Sequence, residues 1–106
     1  MNVEALDHAF KQIPRNEKLI QMFLKGNRAY ANYFDGEKFL QIVQDGQLEL
    51  VKLILSCRPE LLEFKDDYDQ TALLWACARG HVAIVQILMD LGAELNVRTN
   101  LPPNVS

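Results

Sequence analysis

Two histidines, two cysteines and a cluster of carboxylates are the residues of this chain whose types and spacing could do chemistry. Cys77 and His81 stand four apart, the spacing that lets an imidazole on one helical face activate a thiol. Gly80 falls between them and breaks the helix, and Cys77 belongs to an apolar stripe, where a thiol is inert. No catalytic residue is therefore expected. Cys57 and Cys77 lie twenty positions apart with no CxxC and no neighbouring histidine pair, so neither a zinc nor a redox motif is present and both are expected to be reduced and structural. Glu63, Asp66, Asp67 and Asp69 gather acidic oxygens, but an Asp-x-Asp-x-Asp-Gly loop with a terminal Glu is missing, and a solvated turn is expected instead of a calcium site. His8 is expected to be solvated or half-buried. There is no glycine-rich phosphate loop, and no metal or cofactor is expected.

The elements that would have to position any such groups come from a chain of 106 residues, enough for one core without staples. Hydrophobic residues make up 49% and charged residues 24%, which excludes wholesale disorder. The net charge of -3 and the absence of a basic run argue against nucleic acid as the main partner. The charge is uneven. Residues 1–34 carry five basic groups against three acidic, residues 35–106 six against eleven. No long apolar run or signal-like start is present, so a cytoplasmic address is expected, with the nucleus the alternative, and no membrane insertion.

Set against itself, the sequence aligns at an offset of 34 residues between 39–55 and 73–89. Phe39, Leu40, Ile42 and Val43 fall on Leu73, Leu74, Ala76 and Cys77; Gly46 falls on Gly80; Leu50, Val51 and Ile54 fall on Ile84, Val85 and Leu88. Each copy reads as an amphipathic helix, a glycine able to take positive φ, and a second amphipathic helix. Such a pair cannot cover its own apolar stripes and must stack on a neighbour. Pro59 ends the second helix of the first copy, Glu63–Gln70 has the composition of a projecting hairpin or finger, and Thr71 can cap the next helix.

Asp66–Arg98 resembles the ankyrin repeat, whose pattern Asp-x-x-Gly-x-Thr-Pro-Leu-His-x-Ala it meets at Asp66, Thr71, Leu73 and Ala76. Further on it matches at Gly80, His81, Val85, Leu88, Gly92, Ala93 and Asn96. Asp69, Ala72 and Leu74 depart from the usual glycine, proline and histidine. Residues 32–65 are similar to a weaker copy, in which Arg58–Glu63 replaces the usual Gly-Ala-Asp-Val-Asn segment. Residues 1–31, with Leu6, Ala9, Phe10 and Ile13 and then Leu19, Ile20, Phe23 and Leu24, read as a helical cap or a degenerate repeat. Residues 99–106 read as the start of a further finger or a tail.

The resemblance implies an all-α helical solenoid with projecting fingers, and a non-catalytic module that binds a partner protein on its concave face. It gives His81 a helix-start and packing role. Carried over by position, the partner-binding residues are Asp67, Tyr68 and Gln70 on the second finger, Ala78 and Arg79 on its helix, and Gln44 and Asp45 in the preceding copy. Tyr33 and Phe34 fall at the first finger, where the alternative is packing between cap and array. The expected partner is a protein with a basic or mixed-charge surface.

A second reading makes the chain the regulatory or substrate-targeting part of a longer multidomain protein or enzyme. Trp75, Ile87 and Met89 are expected to face a further repeat, a partner or a second copy at the C-terminal end. Residues 1–34 are also a candidate dimerisation element.

Overall fold

The computed structural model describes residues 3–93. Its helices come in pairs: α1 (Glu4–Lys11) with α2 (Glu17–Gly26), α3 (Gly36–Asp45) with α4 (Leu48–Cys57), and α5 (Ala72–Arg79) with α6 (Val82–Asp90). Short 3₁₀ helices at Arg28–Tyr33 and Pro59–Glu63 connect one pair to the next. No described residue lies in a strand. The pairs stack in sequence, α3 on α5 and α4 between α2 and α6, giving an elongated body of 50 × 24 × 24 Å. This is the predicted all-α solenoid.

Local chemistry sets the helix ends. The side chains of Asn16, Asp35 and Thr71 accept hydrogen bonds from the backbone N–H groups of Leu19, Lys38 and Leu74, each three residues on. Gly46 and Gly80 end α3 and α5 at φ +79° and +73°, their N–H groups turned back on the last helical carbonyls. Helices of eight to ten residues are marginal alone, so the stack holds them. The apolar stripes of all six meet in one core running from Leu6 and Phe10 through Phe39, Ile42 and Ile54 to Ile84 and Leu88. Each fully buried large side chain there contributes about 1.5–3 kcal/mol relative to an exposed one.

Cross-links between pairs are specific. Arg58 donates to the carbonyl of Phe34, and the Phe64 ring lies so close over Gly36 that a Cβ there would run into it. Both contacts fasten the connector after α4 to the start of α3.

Four expectations are corrected. Ile13 leaves the apolar stripe of the first helix, because α1 stops at Lys11 and Gln12 turns extended; it is 99% exposed. Cys77 is exposed although its counterpart Val43 is buried. The reason is positional: α5 covers α3, while no described helix covers α5 from the far side. The same difference separates Leu55, 4% exposed, from its counterpart Met89, 41% exposed. Trp75 is half-buried against its own finger instead of facing the open end, its indole N–H donating to Asp66 at 2.8 Å. Tyr33 and Phe34 close a 3₁₀ helix, and no finger is formed there. Asn96 and the tail at 99–106 lie outside the described residues.

Candidate protein-binding surface

The second finger is built on one carboxylate. Asp66 Oδ1 accepts hydrogen bonds from the backbone N–H groups of Tyr68 and Gln70, at 2.9 and 3.0 Å, and Oδ2 accepts from the Trp75 indole. Burial works against the charge on Asp66, but these donors outweigh it and hold the carboxyl below its usual range. Backbone bonds from Asp69 to the Asp66 carbonyl and from Asp66 to the Gln70 carbonyl close the turn. Asp69 sits at φ 61°, where the family pattern has glycine; Asp is among the few residues with a side chain that tolerate this region. An aspartate thus holds a left-handed turn position where the family pattern has glycine.

At the tip, Tyr68 is 77% exposed and Asp67 is exposed, while Gln70 is half-buried and bonds back to the Tyr68 carbonyl. From the finger the surface continues along α5. Trp75 joins it to Arg79, whose guanidinium lies 5.9 Å from the indole centroid and donates to Gln44 Oε1 across the repeat boundary. Ala78 is exposed beside it. Asp66 thus links the Tyr68 backbone to Trp75, and Arg79 links Trp75 to Gln44, so that Trp75 belongs to this surface and not to the C-terminal face expected of it. Its position off the apolar stripe of α5 was the available signal.

The remaining expected residues are occupied elsewhere. Asp45 Oδ2 is paired with Arg15 Nε at 2.5 Å, and the same guanidinium donates to Gln41 and to the Phe10 carbonyl while covering the Phe10 ring. Phe34 has no exposed surface and packs edge-on to Phe10 and Tyr33, so it joins cap to array and cannot meet a partner. Tyr33 donates to Asp7 at 2.5 Å beneath the Lys38 ammonium. Its hydroxyl is pushed up from the ordinary tyrosine value, first by burial and then by that bond. Asp7 is held down, first by Tyr33 and then by Lys11. Among the described residues no group of three or more His, Cys, Asp or Glu is placed to hold a metal ion, and no helix is long and apolar enough to cross a membrane.

A family model described as "Ankyrin repeats (3 copies)" matches residues 6–99, most of the chain. The chain belongs to the ankyrin-repeat family. The match takes in α1 and α2 as well as the two pairs whose repeat is visible in sequence.

Among curated proteins, this ankyrin-repeat chain is 36% identical over 55 residues to the human 26S proteasome non-ATPase regulatory subunit 10, covering 52% of this chain and 24% of that one. It is 34% identical over 71 residues to the Drosophila melanogaster ankyrin repeat and KH domain-containing protein mask, covering 66% and 2%. It is 31% identical over 64 residues to the probable E3 ubiquitin-protein ligase XBOS32 of Oryza sativa subsp. japonica, covering 59% and 13%. The chain spans a quarter or less of the length of these relatives. No solved structure matches it significantly. Ankyrin repeats are, as a family, protein–protein interaction modules and generally non-catalytic.

Proposed function

We propose that this ankyrin-repeat chain binds a partner protein along the strip formed by the Asp66–Gln70 finger and the exposed side of α5, with Tyr68 and Arg79 as its anchors. The observation that carries this reading is the exposed Tyr68 ring on a finger held rigid by Asp66 and continuous, through Trp75, with Arg79. Tyrosine and arginine dominate binding hot spots, and a preordered finger loses little entropy on association. Asp67 and Asp69 give the tip negative charge, which suits a basic or mixed-charge partner. Residues 1–31 are read with it as a first, degenerate repeat. Two free cysteines suit a reducing compartment, the cytoplasm or nucleus.

A second reading, a targeting or regulatory portion of a longer protein, is supported by relatives that are all longer than this chain, two of them several times its length. In that case the C-terminal face around Leu74, Cys77, Val85 and Met89 takes a further repeat.

The test is capture of interacting proteins by the full chain and by a Tyr68→Ala/Arg79→Ala variant. Partners captured by the wild type should be lost by the variant, each truncation weakening binding by about 1–2 kcal/mol, with the melting temperature nearly unchanged. Undiminished binding would place the partner elsewhere.

A further inference from the structure

Of the three tyrosines, two are committed to the fold. Tyr33 is half-buried, its hydroxyl donating to Asp7 and its ring set edge-on against Phe10 and Phe34. Tyr30 is half-buried with its ring edge-on to Phe23 at 5.1 Å. Tyr68 differs on both counts: 77% of its surface is exposed, and its side chain has no ring or hydrogen-bond partner among the described residues.

The chain around Tyr68 is acidic and open. Between Glu63 and Asp69 four carboxylates stand against one lysine. Lys65 pairs with Asp69 at 3.7 Å, and Asp66 is turned inward onto the Trp75 indole, which leaves Asp67 and Asp69 exposed on either side of the tyrosine. The tip can also be drawn out straight without disturbing the core. Its shape rests on bonds centred on Asp66, whose carboxylate takes the N–H groups of Tyr68 and Gln70 and whose backbone meets Asp69 and Gln70. None of residues 65–70 belongs to the apolar core, and the anchored neighbours on either side are Phe64, over Gly36, and Thr71, the cap of α5. A surface turn held in this way opens locally at low cost.

We propose that Tyr68 is a phosphorylation site for a tyrosine-directed protein kinase with a basic substrate groove. In the transfer the Tyr68 Oη attacks the γ-phosphorus of a magnesium-bound nucleoside triphosphate. The bond from that phosphorus to the β-phosphate oxygen breaks, the nucleoside diphosphate leaves, and the phenolic proton passes to the catalytic base of the kinase. Asp67 and Asp69 select such an enzyme by charge, while packing withholds Tyr30 and Tyr33. The product carries about two negative charges in place of a neutral phenol, turning the tip into an anion. The site stands on the exposure and flanks of Tyr68, not on the partner-binding reading.

Incubation of the full chain with magnesium ATP and a tyrosine kinase domain that prefers acidic peptides tests this, followed by intact mass and fragment-ion mapping. One phosphoryl group should be added, at Tyr68, and none to Tyr68→Phe, whose melting should match the wild type because the ring is mostly in solvent. Asp67→Asn/Asp69→Asn should lower the initial rate by about threefold or more, the order expected for charge pairs separated by several ångströms of water; asparagine also tolerates the left-handed backbone at 69. A chain left unmodified, a phosphoryl group placed on Tyr30 or Tyr33, or a rate indifferent to the double asparagine change would overturn the proposal. Partner capture plays no part in this readout, so either reading can fail without the other.

Discussion

The His81 imidazole donates from Nε2 to the backbone carbonyl of Gln44 at 2.8 Å, reaching across a repeat boundary, and its ring packs under Gly46. One residue at the start of α6 thereby satisfies the C-terminal end of α3, and the glycine that ends α3 leaves room for the ring. His81→Ala should lower unfolding free energy by about 1–2 kcal/mol in urea titrations, through the lost bond and lost packing. Gly46→Ala should cost at least as much, because it strains a positive φ and meets the same ring.

Tyr33 and Asp7 make stability depend on pH at both extremes. Asp7 is depressed in the folded state, so its contribution is complete above the ordinary aspartate value near 3.8 and is lost as pH falls through the folded value. Tyr33 is raised, so its contribution is complete below the ordinary value of 10.0 and is lost as pH rises above it. Tyr33→Phe should lower the melting temperature by a few degrees near neutrality. It should also flatten the decline on both sides in a pH series of thermal melts.

Gly36 is buried at the start of α3 directly beneath the Phe64 ring. Gly36→Ala would ordinarily favour a helix, yet here it should destabilise by about 1–3 kcal/mol through overpacking. Chemical denaturation of Gly36→Ala beside Gly36→Ala/Phe64→Leu checks the cause, since the smaller side chain should recover part of the loss.

Trp75 braces the finger through Asp66. Trp75→Phe keeps the aromatic bulk and removes the donor. Amide exchange at Tyr68 and Gln70, whose N–H groups are held by the same carboxylate, should quicken several-fold while exchange in α3 and α4 is unchanged.

Much of the stack was legible in the residues themselves. The offset between Phe39–Leu55 and Leu73–Met89 located two helix pairs, and glycines at 46 and 80 marked their reversals. The surface was less so. Asp67, Tyr68, Ala78 and Arg79 are exposed as expected, but Phe34 is buried and Asp45, though exposed, is paired with Arg15, because the contacts at the cap depend on how the first helix pair meets α3. That meeting rests on Arg15, a residue whose three acceptors lie at Phe10, Gln41 and Asp45, and no local pattern signals such a convergence.

The sequence by itself therefore determined the elements, their ends and their need to stack, since helical periodicity, caps and positive-φ glycines act within a few residues. Only the tertiary structure decided which side chains remained free. Cys77 shares the stripe position of buried Val43 and is exposed, and Ile13 continues an apolar pattern into solvent. Burial belongs to whatever element lies opposite a residue, and the identity of that neighbour is a property of the stack, not of the stripe.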